Sequence, residues 1–123
     1  MNNPANTPEP HPINQDESQP ALWDLVIKDF ENKFFGDDKV KSGIIKLMRD
    51  RDNFGFQKYK VHLKNKNGRS FYNDSFSEFL DGACYTKGLI REQGTVDDCL
   101  QEIYMNLLKS LVQLYEWELE HYE

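Results

Sequence analysis

Asp74, Glu78, Asp81 and Tyr85 stand four, three and four residues apart, a spacing that puts them on one face of a helix. At about 100° per residue that face lies nearly opposite Phe76, Leu80 and Ala83. A hard divalent cation such as Mg²⁺ takes oxygen ligands, and carboxylates at i and i+3 can hold it together. Two plainer explanations fit the same residues. The stripe can be a solvated helix face, or Ser75 can be an N-cap with Glu78 as its capping-box partner.

Two further features bear on chemistry. Arg51 falls near the middle of an Ile44, Leu47, Met48 stripe and Asp52 on its flank. Charges there must be paired or functional, unless the helix has already left the core. Asp50 points elsewhere and reads as solvated. Between Asp52 and Asp74 the chain has no acid, while Lys58, Lys60, Lys64, Lys66 and Arg69 are all basic. Basic side chains ahead of a helix N-terminus suit phosphate groups, although lysine-rich surface loops are common. A polar helix end, a basic loop and an acidic helix, in that order, can accommodate a metal–triphosphate complex.

The elements that must position these residues read as four helices. Trp23, Val26, Ile27, Phe30 and Phe34 recur at helical steps. Gly36 stops this helix, and Asp37 or Asp38 caps a second that uses Val40, Ile44, Leu47 and Met48 and runs to Gly55 or a little past it. Residues 54–71 support two readings. Alternation of Tyr59, Val61 and Leu63 with an Asn67-Gly68 turn suggests a β-hairpin. A helix end followed by an irregular loop is preferred, because no further strand exists to cover a lone hairpin. Tyr72, Phe76, Phe79, Leu80, Ala83 and Ile90 mark the third helix, which Gly94 ends. Thr95 with Asp98 forms a capping box for the fourth, which carries apolar residues from Leu100 to Leu119. The expected fold is an all-α four-helix bundle over residues 21–123, behind a disordered tail.

Composition sets the limits. All five prolines lie in the first twenty residues, with almost nothing apolar among them. Such a stretch buries too little surface to offset the entropy of ordering it, so residues 1–20 are expected to be disordered. The tail lacks the charged and apolar regions of a secretory signal, and no apolar run approaches the roughly 20 residues that span a bilayer. Cys84 and Cys99 read as free thiols in a reducing compartment, which implies a cytoplasmic protein. Two Cys and three His show no zinc-site spacing. The net charge of −6 disfavours general nucleic-acid binding.

The run Leu22-Trp23-Asp24-Leu25-Val26-Ile27, then Arg51-Asp52-Asn53-Phe54-Gly55 with Lys58-Tyr59 and Leu63, then Asn67-Gly68-Arg69, resembles short phage and bacterial MazG-like proteins. Many of these act on dATP, dGTP or nucleoside triphosphates generally. In them an N-G-R element leads into a helix carrying E-x-x-D, which here reads Glu78-Phe79-Leu80-Asp81. The resemblance covers about residues 22–85, with an apparent insertion around 31–42. By itself E-x-x-D has little specificity, whereas R-D-x-F-G, K-Y and N-G-R in sequence are more specific.

The resemblance implies an all-helical, MazG-like nucleotide pyrophosphohydrolase that works as a homodimer or higher homo-oligomer. Glu78 and Asp81 would ligate Mg²⁺ (or Mn²⁺), with Asp52 a supporting acid at the metal. Lys58 and Arg69 would contact the phosphates of the nucleoside triphosphate. A bound water would attack the α-phosphorus and release pyrophosphate, the metal activating the water and offsetting phosphate charge. The chain departs from the family pattern in three places. No E-E-x-x-E stands on the second helix, Ser77 replaces an acid beside Glu78, and Lys60 replaces the glycine expected after Tyr59. The competing class is a non-catalytic dimer that binds another protein or a nucleotide.

Overall fold

In a computed structural model the chain is an all-α, four-helix protein: α1 (Leu22–Lys33), α2 (Asp38–Tyr59), α3 (Phe71–Gln93) and α4 (Asp98–Tyr122). The structure describes Ala5, Gln15, residues 17–64, Gly68 and residues 70–122. No strand occurs among the described residues, and no helix among them is long and apolar enough to cross a membrane. The helices form two compact units, one built on α1 and α2 and the other on α3 and α4.

The first unit is a helix pair. Asp37 caps α2, its Oδ1 accepting from the N–H groups of Lys39 at 2.7 Å and Val40 at 3.3 Å. These bonds satisfy two of the four orphan donors at the helix start. The preceding helix ends at Lys33, where Phe34 turns extended at ψ 121. Gly36 therefore lies beyond the helix it was expected to stop. Its role is space, because a Cβ there would collide with the Phe34 ring.

The short connection sets α1 antiparallel to α2. Arg49 Nη1 donates to Asp24 Oδ1 at 2.7 Å, and Lys41 Nζ donates to the Glu31 carbonyl at 3.0 Å. Between these ties sits Ile27, the one large side chain that is fully buried among the described residues, at 2% exposure. The less exposed positions of α2 are Lys41, Ile45, Met48, Asp52, Gly55 and Tyr59. The apolar stripe expected to form the core lies one residue away: Val40, Ile44 and Leu47 are exposed, and only Met48 is half-buried. One residue is about 100° of helix rotation, enough to carry a side chain out of the seam.

Helix α2 continues to Tyr59 and ends where Lys60 adopts φ 63. Residues 54–59 are thus helical, in agreement with a helix end followed by a loop. Leu22 N–H then donates to the Leu63 carbonyl at 2.7 Å. Gln15 adds two bonds, donating to the His62 carbonyl and accepting from the Lys64 N–H, both at 2.8 Å. Most of the stretch expected to be disordered lies outside the described residues, but Gln15 and Glu17 are tied to residues 62–64.

The second unit is a longer helical hairpin. Ser70 Oγ accepts from Asn73 N–H at 3.2 Å and starts α3. Gly94, at φ 70, ends it in the left-handed region that glycine adopts without a Cβ clash. Asp97, not Thr95, caps α4, its Oδ1 accepting from Leu100 N–H at 3.0 Å. The carboxylate one residue before the helix has the direct reach that the threonine lacks.

On α4 the sheltered positions Leu100, Tyr104, Leu107, Leu111, Leu114 and Glu118 keep a 4-3-4-3-4 spacing, the seam of antiparallel helices packed side by side. Opposite them, Ala83 is buried, and a Cβ at Gly82 would lie 3.6 Å from Leu107. Phe76 and Tyr115 have ring centroids 6.4 Å apart, and Tyr72 and Trp117 6.3 Å.

Ile27→Ala is expected to destabilise the protein by about 2–5 kcal/mol in equilibrium denaturation, through lost burial and a residual cavity. Leu47→Ala, at a side chain left 64% exposed, is expected to change the stability of dilute protein by less than about 1 kcal/mol.

Candidate functional site

The start of α3 decides how its acids are read. Because Ser70 is the cap, Ser75 is inside the helix and Glu78 lies two turns beyond the first orphan N–H groups. The capping-box explanation of Glu78 is therefore excluded. Glu78 and Asp81 are exposed one turn apart, as is Tyr85, while Asp74 is half-buried and Ala83 on the other side is buried. Among the described residues no group of three or more His, Cys, Asp or Glu side chains converges. A two-carboxylate pair suits Mg²⁺, which commonly binds one or two carboxylates and completes its octahedron with water and substrate phosphates.

Asp52 sits elsewhere, in the α1–α2 unit. It is 7% exposed, and its Oδ1 lies 2.9 Å from His62 Nδ1. A carboxylate can only accept, so Nδ1 carries the proton in this pair. The ring of Phe56, one turn after Asp52, stacks on the imidazole with centroids 4.6 Å apart and planes 24° apart. Asp52, Phe56 and His62 form a clamp that fastens the segment after α2 to the helix's last two turns. Arg51 is exposed, its guanidinium 5.0 Å from the Phe54 ring centroid.

The basic island is only partly visible. Lys58 is exposed with its ammonium 5.1 Å from the Tyr59 ring centroid, and Lys60 occupies the left-handed turn. Lys64 Nζ reaches the carbonyl and Oε2 of Glu17, both at 3.2 Å. Lys66 and Arg69, with Asn67 of the N-G-R element, lie outside the described residues. Cys84 and Cys99 are free and exposed.

Sequence reasoning missed two groups. His62 carried no motif, and only its alternation out of phase with Val61 and Leu63 set it apart. Glu118 was legible in principle, since it continues the Leu107, Leu111, Leu114 spacing into a position where leucine is ordinary. It is 7% exposed near the N-terminal end of α3, where Asn73 is 3% exposed. Burial holds the Tyr72 phenol above its ordinary value of 10.0, and negative charge on Glu118 and on Tyr115 adds to the effect.

In an alkaline spectrophotometric titration, a tyrosine step above the ordinary value near 10 is expected from Tyr72. Tyr72→Phe should remove that late step, and Glu118→Gln should bring it earlier. The folded state favours the neutral phenol. Its contribution to stability is therefore complete below the unfolded value near 10 and lost as pH rises through the higher folded value. The stability gap between wild type and Tyr72→Phe should accordingly change as pH rises through the unfolded value near 10 and beyond it, and a constant gap would contradict the assignment. Family models, curated proteins and solved structures yielded no match to this chain.

Proposed function

We propose that the chain is a Mg²⁺-dependent nucleoside triphosphate pyrophosphohydrolase of MazG-like type, releasing a nucleoside monophosphate and pyrophosphate as a homo-oligomer. The observation that carries this reading is the pair Glu78 and Asp81, presented one turn apart on the exposed side of α3, well inside the helix. There they serve neither cap nor seam. With Mg²⁺ or Mn²⁺ bound, the chemistry supplied is a more acidic water and neutralised triphosphate charge. Glu78 and Asp81 would hold and orient the ion; Lys58 and Arg69 are proposed to contact phosphate oxygens, and Asp52, whose carboxylate is buried against His62, to act as a supporting acid. The free thiols support a reducing, cytoplasmic setting.

Self-association is supported by apolar side chains left outside both seams. Val40, Ile44, Leu47 and Phe54 on α2 keep a heptad-like spacing and are exposed. On α4, Met105, Val112, Tyr115 and Leu119 are exposed along a second stripe, beside the half-buried Leu108. Exposed apolar side chains aligned on one helix face suit an association surface. The same stripes favour a second reading, a non-catalytic helical dimer that binds a nucleotide or another protein.

Pyrophosphate release measured across the eight common nucleotides with Mg²⁺ or Mn²⁺ separates the two. The enzyme reading predicts metal-dependent turnover that Asp81→Asn abolishes, with the fold retained or slightly steadier once two like charges no longer face each other. It also predicts a dimer or larger assembly by light scattering at tens of micromolar, on the order of the concentrations used for such small domains. No metal binding in calorimetric titration, even with a nucleotide analogue present, leaves the interaction protein.

A further inference from the structure

We infer that the outer stripe of α4 is an interface between two copies of this chain, with α4 packed antiparallel against α4 of the second copy about a two-fold axis. This deepens the reading above, on which it rests for a homo-oligomer, by naming the surface that joins the subunits.

Helix α4 carries two seams side by side. The sheltered one, from Leu100 to Glu118, packs on α3. Met105, Leu108, Val112, Tyr115 and Leu119 follow it one residue later and keep a 3-4-3-4 spacing of their own. One residue is about 100° of helix rotation, close to the quarter-turn that separates the two neighbours of a helix in a four-helix bundle. The α3–α4 hairpin supplies one of those neighbours. The second seam runs about 21 Å along the helix at 1.5 Å per residue, and Met105, Val112, Tyr115 and Leu119 on it are 41–57% exposed.

Charge identifies the occupant. With Met105, Val112 and Leu119 at heptad position a and Leu108 and Tyr115 at d, position g is filled by Tyr104, Leu111 and Glu118 of the sheltered seam. The open flank is therefore e, where Lys109 and Glu116 stand. Both are exposed, and among the described residues neither is held in an ion pair. In a parallel pair e meets g, so Lys109 would meet only the sheltered seam. In an antiparallel pair e meets e. Packing Leu108 against Leu119 and Val112 against Tyr115 of the second copy then sets Lys109 opposite Glu116, and the two-fold axis repeats the pair. Glu102, earlier on the same flank, falls opposite position 123, beyond the helix end. The exposed stripe of α2 offers no such match. It passes through Arg51, and Asp50 on its open flank is already paired with Lys46 at 2.8 Å.

The test is sedimentation equilibrium on the full chain and on Lys109→Glu, Glu116→Lys and the variant carrying both. The wild type is expected to be a dimer. Each single reversal turns two attractive pairs into two repulsive ones and should weaken dimerisation by about tenfold. The double reversal should restore it, and an equimolar mixture of the two single variants should form a heterodimer of wild-type affinity. Val112→Lys, in the middle of the stripe, should give a monomer whose circular dichroism stays helical. A wild type that stays monomeric overturns the inference, as does a dimer whose affinity ignores both reversals. In a monomer, Val112→Lys lowering the melting temperature would assign the stripe to contacts within the chain, and a silent Val112→Lys would leave it to a different protein; both outcomes overturn the inference. A dimer that obeys the charge pattern yet releases no pyrophosphate from nucleotides keeps this interface and removes the hydrolase reading. Hydrolysis by an assembly indifferent to the reversals does the opposite.

Discussion

A helix that packs against one neighbour can bury one stripe of its surface, and which stripe it buries governs the rest of this protein. Helix α2 carries two candidate stripes side by side, Lys41, Ile45, Met48, Asp52 beside Val40, Ile44, Leu47, and the less apolar one faces the seam. Ile27 anchors that choice from α1, with Asp24 and Glu31 tying the two ends. The result is an acid drawn inside and aliphatic side chains left outside. Helix α4 differs, since its seam is leucine-rich, but it too draws one acid inside, Glu118, and leaves Val112 and Leu119 outside. Burying the polar stripe is unfavourable by itself. It becomes reasonable when the apolar stripe is covered as well, as in the oligomer proposed above.

The buried acids then divide by whether the fold supplies a partner. Asp52 has one, since His62 returns to it from beyond the helix end. That contact joins local structure to chemistry, because the bond that secures the segment after α2 also aims an imidazole outward. Glu118 is close enough to Tyr72 that its charge helps to raise the phenol's pKa. On α3 the opposite arrangement holds. Glu78 and Asp81 remain on the exposed face because Ala83 and Gly82 provide the close approach to α4. A small-residue contact on one side leaves the other exposed.

What was legible in the sequence was local. Helix existence, the Asp37 cap and the Gly94 stop depend on neighbours within a turn, and the exposure of Glu78 and Asp81 follows from 100° steps. The seam of α2 was not legible, because the apolar residues Val40, Ile44 and Leu47 lie one step from the positions that α1 covers. Thr95 with Asp98 fits a capping-box motif, whereas cap geometry is decided by the residue directly before the helix, Asp97. His62 could not be read at all, since its meaning comes from Asp52 ten positions earlier. Position 60 is the instructive case. The glycine expected there has a physical basis in the left-handed turn, and the chain places lysine in it.

That turn also bears on how quickly the protein takes shape. Because α2 stops within one residue at Lys60, the clamp between Asp52 and His62 closes a loop of only ten positions. Most of those positions are helical, and helix–coil relaxation takes about 0.1–1 μs. The helix end and its imidazole can therefore form while the remainder is still unstructured. In a chain made from its N-terminus, they are complete once residue 64 is free, before any part of α3 or α4 exists.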